Sequence, residues 1–327
     1  MKAREPLIII LGEPNSVFIE ILSKVLVKFK KNINYPIILI GSKNIIFSQL
    51  KILKKNLSLE LLNKNFIKKN KLKNKLYLID IEYNFKNPFE KISNKSKSYI
   101  SACFKEGLKL INNNVSKILI NGPVSKKHFL PKKFPGVTEY IFDKSKNNVS
   151  KKPVMLLFNK KFSVSPLTTH IPLKKINKNI QVNNIVNHVA EINKFYIKKF
   201  KIKPRIAVLG LNPHCESKSI LNEENLFISP AINKLKKKKL NISGPYPADT
   251  FFIKDNIKKF DTIVGMYHDQ VLTPFKTIFE FDACNITLGL PFLRISVDHG
   301  PNNSMIGKNR SNTDSLENIF NLIRSIK

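Results

Sequence analysis

Short apolar runs alternate with longer amphipathic stretches along most of the chain. The apolar runs, rich in β-branched residues, predict strands, and the longer periodic stretches predict helices. The predicted strands are Leu7–Leu11, Pro36–Ile40, Leu76–Ile79, Lys117–Ile120, Val154–Phe158, Ser163–Leu167, Arg205–Leu209, Thr262–Met266, Asn285–Leu288 and Arg294–Val297. The predicted helices include Val17–Lys28, Ser96–Asn112, Ile180–Lys198 and Glu223–Lys238. Such alternation is typical of an α/β fold with a largely parallel sheet.

The length of 327 residues allows two domains, because single cores stop growing near roughly 250–300 residues. The Lys- and Asn-rich segment 51–76 predicts surface helix and loop. No run reaches the roughly 18 apolar residues of a membrane helix. The first apolar run leads directly into a turn, so we expect a strand there and not a signal peptide. Three cysteines without paired spacing favour a reducing cytoplasm.

The formal net charge of +34 raises the possibility of nucleic-acid binding. Only five of the 57 basic residues are arginine, the residue whose planar fork usually serves base and phosphate recognition. The lysines are spread through Asn- and Ile-rich stretches, and these three residue types are supplied by A/T-rich codons. We therefore expect a solvated lysine coat and no nucleic-acid or membrane partner, with nucleic-acid binding kept as the alternative.

Three of the six histidines follow predicted strands directly: His170, His214 and His268. Ligands collect at the carboxyl ends of the strands in a parallel sheet. Three imidazoles there could hold a divalent metal and leave positions open for a substrate. Their long spacing is no local metal motif, so separate structural histidines remain the alternative.

Other polar residues near these strands have two interpretations each. Asp269 could orient the imidazole of His268, or it could cap the helix that follows. Arg294, a rare arginine, could hold phosphate or carboxylate or form a structural ion pair, with Lys276 and Asn285 nearby in sequence. No GxGxxG, Walker or GxSxG motif is present.

Seven long motifs carry a specific resemblance. They are NGPVSKKHF (121–129), FPGVTEYIFDKS (134–145), VSPLTTHIPLKKI (164–176), PRIAVLGLNPH (204–214), ISGPYPADTFF (242–252), MYHDQVLTPFK (266–276) and NITLGLPFLRISVDHG (285–300). In these motifs the chain resembles the 4-hydroxythreonine-4-phosphate dehydrogenase family of pyridoxal phosphate (vitamin B6) biosynthesis. The likeness covers most of residues 115–300 and is weak before them.

The resemblance implies a two-domain α/β/α fold like that of isocitrate and isopropylmalate dehydrogenases, with a deep cleft and a shared active site in a homodimer. We expect an N-terminal α/β domain of residues 1–125 plus 301–327 and a metal- and substrate-binding domain of residues 126–300. The family's metal histidines fall on His170, His214 and His268, the third supplied by the partner subunit. Its substrate contacts fall on the following residues: Thr138, Lys276, Asn285 and Arg294. The implied cofactors are NAD or NADP and a divalent metal, zinc first, with magnesium or cobalt as alternatives.

The implied reaction is the oxidation of 4-phosphooxy-L-threonine to 2-amino-3-oxo-4-phosphooxybutanoate, which decarboxylates to 3-amino-2-oxopropyl phosphate. Asp249 or a metal-bound water could act as the general base. Two departures separate this chain from the family pattern. Val137 stands where the family usually has histidine, and the turn GEPNSVFIE, with Glu13, replaces a glycine-rich GDPAGIGPE-like turn.

The departures keep other functions open. The first alternative is a sister dehydrogenase of another 4-phosphorylated hydroxy acid, such as erythronate 4-phosphate, and a catalytically decayed homologue is the second. A metal-dependent hydrolase built on the three histidines is a third, and it would need no nicotinamide.

Overall fold

The computed structural model describes residues 5–29, 34–63, 67, 72–145, 152–215 and 221–326. The predicted surface segment 51–76 lies partly outside these residues. The chain divides into two compact units, one of Met1–Val149 and Leu290–Ile319, the other of Ser150–Gly289 and Phe320–Lys327. Among the described residues, no helix is both long and apolar enough to cross a membrane.

The first unit is built on a parallel sheet. Its described strands are β1 (Leu7–Ile10), β2 (Ile37–Gly41), β3 (Glu60–Leu61), β4 (Leu76–Asp80), β5 (Ile118–Asn121) and β12 (Leu293–Val297). They lie in the order β3-β4-β2-β1-β5-β12, and each neighbouring pair is parallel. The central strands β1 and β2 are buried along their whole length. Continuous apolar runs are typical of parallel strands because helices cover both faces of the sheet.

Amphipathic helices cover the sheet of the first unit. They are α1 (Phe18–Phe29), α2 (Lys43–Ile52), α3 (Lys97–Asn112), α4 (Lys126–Phe129) and α5 (Val137–Lys144). Helix α11 (Asp314–Ser325) belongs to this unit as far as Ile319, and the rest of the helix belongs to the second unit. Phe104 of α3, Phe129 of α4 and Tyr140 of α5 pack against one another with ring centroids 5.2–5.7 Å apart. These rings belong to one core cluster with Ile8 and Ile38 of the central strands.

The second unit has a mixed sheet. Its described strands are β6 (Val154–Phe158), β7 (Ser163–Thr168), β8 (Ile206–Leu209), β9 (Ile242–Tyr246), β10 (Thr262–Tyr267) and β11 (Cys284–Leu288). They lie in the order β11-β6-β7-β10-β8-β9. Strand β6 is antiparallel to β11 and β7, whereas β7, β10, β8 and β9 run parallel. The carboxyl ends of β7, β10 and β8 therefore lie side by side.

The helices of the second unit are α6 (Val182–Phe200), α7 (Ser229–Lys237), α8 (Ala248–Phe251), α9 (Lys254–Ile257) and α10 (His268–Phe279). A π-helical turn, Glu224–Ile228, precedes α7. The sequence predicted one helix over Glu223–Lys238, and the structure divides it into these two pieces. Phe275 and Phe279 of α10 pack on Phe162 in the core of this unit.

The compact units divide at other positions than the expected domains, 1–125 plus 301–327 and 126–300. Residues 126–149 lie in the first unit, because Tyr140 and Ile141 of α5 pack into its core. Strand β12 lies there too, because it pairs in parallel with β5. The first unit thus ends at Val149 and resumes at Leu290, and residues 320–327, expected in the first domain, fall in the second unit.

Candidate active site

Three histidines follow three neighbouring parallel strands of the second unit. His170 comes two residues after β7, His268 begins α10 directly after β10, and His214 lies five residues after β8. Because β10 lies between β7 and β8 in the sheet, His268 follows the middle strand. The sheet order thus brings three imidazole-bearing segments to one edge, where parallel sheets collect their ligands.

His170 and His268 are close to each other. Their ring centroids are 5.9 Å apart. The Nδ1 atom of His268 lies 2.7 Å from Oδ1 of Asp269. A carboxylate on one ring nitrogen orients the imidazole and directs the other nitrogen towards a ligand, as is usual for histidines that bind metals. The capping interpretation of Asp269 is wrong, because α10 begins at His268 with Tyr267 as its N-cap and with no side-chain cap hydrogen bond.

His214 lies on an unusual backbone. His214 and Cys215 both have φ of 57°, in the left-handed region that residues with a side chain rarely adopt. The His214 ring is exposed, and its Nδ1 lies 3.8 Å from Oδ2 of Asp249. Asp249 also accepts a hydrogen bond from the backbone N–H of Thr250 at 2.9 Å. Strain of this kind collects at functional sites, where the surrounding structure holds it in place.

Within the described part of the chain, no three His, Cys, Asp or Glu side chains converge as a metal-binding group. One chain places His170 beside His268, and it places His214 beside Asp249.

The first unit holds a buried arginine. Arg294 on β12 is 2% exposed, and its Nε donates to Oδ1 of Asn121 at 2.8 Å. Its Nη1 donates to Oγ1 of Thr138 at 3.3 Å. Burial lowers the pKa of Arg294 to about 10, and the nearby carboxylate of Glu139 opposes that shift. The guanidinium therefore stays charged at neutral pH inside the protein, as an anion site requires.

Thr138 and Glu139 lie in the first turn of α5, which begins at Val137 after the extended Gly136. Val137, at the position where the resemblance leads us to expect histidine, is partly buried and packs against the core of the first unit. Its apolar side chain thus has a structural contact here and offers no hydrogen bond to a ligand.

Lys276 and Asn285 lie in the second unit. Lys276 is half-buried near the end of α10, after Pro274 within the helix. Asn285 is on β11, opposite Leu157 of β6. Its Oδ1 is buried and has no hydrogen-bond partner among the described residues. An unpartnered buried acceptor is costly, and a donor on a ligand would relieve that cost.

The altered turn after β1 is filled by side chains. Glu13 is buried, and its carboxylate accepts hydrogen bonds from Ser96 Oγ at 2.9 Å and from Asn15 N at 3.3 Å. Burial raises the pKa of Glu13, and these hydrogen bonds oppose the rise. Gly12 has φ of 76°, and a Cβ there would lie 2.5 Å from the carbonyl oxygen of Pro123. The turn keeps the one glycine that its backbone requires.

Three polar residues near the candidate site residues of the two units were not identified from the sequence. Asn121 holds Arg294, Glu224 accepts from the backbone N–H groups of Leu211 and Asn212, and Gln270 bridges two strand ends. Asn121 and Gln270 lie inside two of the quoted motifs, NGPVSKKHF and MYHDQVLTPFK. Their place inside these motifs is the only sequence signal that could have identified Asn121 and Gln270.

Sequence comparisons match this chain to a family of known proteins. A sequence model of the family described as "Pyridoxal phosphate biosynthetic protein PdxA" matches residues 33–323. The chain is 37% identical to the 4-hydroxythreonine-4-phosphate dehydrogenase of Sulfurihydrogenibium sp. (strain YO3AOP1), over 94% of each chain. It is 32% identical to the enzyme of the same name from Aquifex aeolicus (strain VF5), over 97% of each chain.

Solved structures confirm the expected fold class. The 4-hydroxythreonine-4-phosphate dehydrogenase of Klebsiella pneumoniae superposes with a TM-score of 0.79 and 23% identity, covering 98% of this chain and 99% of that one. A terephthalate 1,2-cis-dihydrodiol dehydrogenase from Burkholderia xenovorans LB400 superposes with a TM-score of 0.63 and 18% identity, covering 98% of each chain. At these identities the likeness concerns the fold alone.

Proposed function

Because the chain belongs to the PdxA family of pyridoxal phosphate biosynthetic proteins, and is thereby an oxidoreductase, we propose that it oxidises 4-phosphooxy-L-threonine with NAD or NADP and a divalent metal. The product would be 2-amino-3-oxo-4-phosphooxybutanoate, a 3-oxo acid that loses CO₂ to give 3-amino-2-oxopropyl phosphate. The observation that carries the proposal is the pair of imidazoles, His170 and His268, at adjacent strand ends, one of them held by Asp269.

His170, His214 and His268 would hold the divalent cation. Imidazole nitrogens suit zinc and cobalt, whereas magnesium prefers oxygen ligands, so the donor set fits zinc or cobalt better. When bound, the cation supplies Lewis acidity to the substrate hydroxyl and the nicotinamide supplies the hydride acceptor. Asp269 keeps the His268 ring in one orientation through Nδ1.

The proposal includes a homodimer in the cytoplasm, in which the partner subunit supplies the third imidazole. The resemblance assigns the partner's imidazole to His268, whereas the described part of one chain already places His268 beside His170 and gathers no third metal-binding side chain with them. A second copy would therefore be needed to complete the set of three imidazoles. Cys103, Cys215 and Cys284 form no disulfide with one another, which suits a reducing compartment.

Arg294 and Thr138 would bind an anionic end of the substrate. The buried guanidinium is fixed by Asn121 and keeps its charge, and it lies beside the first turn of α5. Planar bidentate hydrogen bonding makes arginine well suited to phosphate or carboxylate. Lys276 and Asn285 would make further contacts, Lys276 through its charge and Asn285 through the buried Oδ1.

A proton must leave the substrate hydroxyl during the oxidation. Asp249 is the candidate acceptor on this chain, because its carboxylate is exposed and lies 3.8 Å from the His214 ring. A metal-bound water is the alternative base. Replacing Asp249 by Asn tests whether this aspartate is the base. If it is, we expect kcat to fall by roughly 10²–10⁴ with metal affinity unchanged.

The test of the function follows reduced nicotinamide by its absorbance. Purified protein is mixed with 4-phosphooxy-L-threonine, NAD⁺ or NADP⁺, and Zn²⁺ or Co²⁺, with and without a chelator. We expect chelator-sensitive reduction that His268→Ala abolishes. His128→Ala serves as the matched control, because His128 lies in the first unit and contacts Asn94. A His214→Ala variant with unchanged bound metal and unchanged turnover would contradict the metal site.

A second substrate class is motivated by Val137. This residue packs against the core and cannot hydrogen-bond a ligand. Erythronate 4-phosphate therefore enters the same assay as the competing substrate. A higher kcat/KM for it than for 4-phosphooxy-L-threonine would assign the chain to a sister dehydrogenase. Absence of nicotinamide reduction with both substrates in a folded, metal-loaded protein would indicate a decayed homologue.

A further inference from the structure

Hydrogen bonds from side chains to backbone link the strand ends that carry the histidines. Thr168, the last residue of β7, donates from Oγ1 to the carbonyl oxygen of Met266 on β10 at 2.7 Å. The backbone N–H of Met266 donates to Oε1 of Gln270 at 2.7 Å. Met266 lies two residues before His268, and Thr168 lies two residues before His170. Both backbone polar groups of Met266 are therefore held by side chains near the candidate metal site.

Gln270 extends this linkage to the third strand. Its Nε2 donates to the carbonyl oxygen of Gly210, directly after β8, at 2.7 Å. One amide thus joins the ends of β10 and β8. Beyond Gly210, Oε1 of the buried Glu224 accepts from the backbone N–H groups of Leu211 and Asn212 at 2.7 and 2.9 Å. Hydrogen bonds to Gln270 and to Glu224 therefore fix the segment that leads to His214.

Two of the chain's few glycines lie where these side chains approach the backbone. A Cβ on Gly265 would meet Cγ1 of Val271 at 2.5 Å and Oε1 of Gln270 at 2.9 Å. A Cβ on Gly210 would meet Sγ of Cys215 at 2.5 Å and Oε1 of Glu224 at 3.0 Å. A larger residue at either position would have to displace Val271 or Cys215 first and the amide or the carboxylate next. Both glycines therefore let these side chains approach the backbone closely.

We propose that Thr168 and Gln270 are positioning residues that fix, within each chain, the strand ends carrying His170, His214 and His268, and so set where these imidazoles meet a cation at a site shared by two copies. The inference rests on the proposed metal site. Neither side chain needs to touch the cation, because each acts through the backbone next to a histidine. Outer residues that orient metal ligands typically change metal affinity by roughly 10–100-fold when they are replaced.

Binding of Co²⁺, followed by visible absorption, tests the proposal. Gln270→Met keeps the approximate volume and removes both hydrogen bonds, and Thr168→Val removes the hydroxyl from an isosteric side chain. We expect each to weaken Co²⁺ binding roughly tenfold and to alter the ligand-field band. Thr168→Ser should restore both. The matched control is Ser163→Ala, which removes a buried hydroxyl, bonded to Thr262 at 2.9 Å, from the opposite end of the same strand.

NMR resonances of the histidine rings in the metal-free protein are a second, independent measurement. The effect of Thr168→Val is followed at the ring of His268, on the neighbouring strand. The effect of Gln270→Met is followed at the ring of His214. Shifted resonances in these two variants, with unchanged resonances in Ser163→Ala, support the positioning role. If His170→Ala and His268→Ala leave Co²⁺ binding intact, that result contradicts the metal site and not the linkage of the strand ends. Unchanged resonances together with wild-type Co²⁺ affinity in both variants overturn the positioning role.

Discussion

His188 on α6 is a histidine of the core and not of the site. It is buried, and its Nε2 lies 2.7 Å from Oγ of Ser165 on β7, whose hydroxyl donates to the carbonyl oxygen of Met155. Burial lowers the pKa of His188 to about 4, from an ordinary value of 6.5. The folded protein thus keeps this ring neutral at pH values where the unfolded chain protonates it.

The lowered pKa predicts an acid-sensitive contribution to stability. Its stabilising effect is fully present above pH 6.5 and is lost as the pH falls towards 4, because only the unfolded state takes up the proton in that window. The total loss is roughly 3 kcal/mol, at about 1.4 kcal/mol per pKa unit. Urea unfolding of wild type and His188→Gln across this range measures it. We expect a flatter pH profile in the variant, and an identical profile would contradict the assignment.

Arg294 predicts a strong difference between arginine and lysine. Lysine keeps the charge but loses the planar fork that contacts Asn121 and Thr138. We expect Arg294→Lys to lower kcat/KM for the phosphorylated substrate roughly 10- to 100-fold, equivalent to one or two lost charge-assisted hydrogen bonds. Steady-state kinetics measure this.

The matched control for Arg294 is Arg205→Lys. Arg205 makes a two-pronged contact with Asp261, from Nε at 3.2 Å and from Nη2 at 2.9 Å, on the exposed surface of the second unit. It should leave kcat/KM unchanged. Equal kinetics of wild type and Arg294→Lys would exclude Arg294 from substrate binding.

Elements with a continuous apolar run could be predicted from the sequence, and irregular ones could not. Strand β6 is observed at its predicted bounds, Val154–Phe158, because five apolar residues in a row have few other ways to be buried. Strand β9 was missed because Gly244 and Pro245 interrupt it. A helix was expected after His268 and Asp269, but its bounds were not predicted, because Pro274 lies inside helix α10 and is usually a helix breaker.

The candidate site residues, like the secondary-structure elements, could be predicted only where a regular strand marks their position. Strand ends identified His170, His214 and His268 as candidates, because a parallel sheet gathers its strand ends at one edge. The sheet order that places His268 in the middle depends on long-range pairing, which periodicity does not encode. Bridging amides such as Gln270 have no spacing signature, and only the folded backbone shows what they join.

The loop after β5 predicts a position where even one methyl group is too large. A Cβ on Gly122 would lie 2.4 Å from the carbonyl oxygen of Leu11 and 2.6 Å from the Phe18 ring of α1. We expect Gly122→Ala to destabilise the protein by about 1–3 kcal/mol through overpacking. Gly300→Ala is the control, since no atom lies within 4 Å of a Cβ there. Chemical denaturation compares the two, and equal midpoints would refute the packing argument.

At the scale of the whole molecule, the charge of +34 has to be accommodated without many acidic partners, since 57 basic residues face 23 acidic ones. Described ion pairs such as Lys75–Glu60 and Lys258–Asp255 are exposed, and exposed pairs contribute little. Like charges also gather locally: Lys105 and Lys109, one helical turn apart on α3, line one surface depression together with Lys144. Repulsion among lysines therefore opposes the compact state.

This repulsion predicts that salt stabilises the protein. The Debye length falls from roughly 30 Å at 0.01 M salt to about 8 Å at 0.15 M, so added NaCl screens the lysines from one another and the Tm should rise over that range. Lys105→Gln removes a like-charge neighbour of Lys109, so it should raise the low-salt Tm and flatten the salt dependence. Lys258→Gln removes the same charge but also the ion pair with Asp255, so its low-salt Tm should lie below that of Lys105→Gln. Thermal unfolding at several salt concentrations measures all three proteins. A Tm that falls with added NaCl would show that attraction, and not repulsion, dominates the surface charge of this molecule.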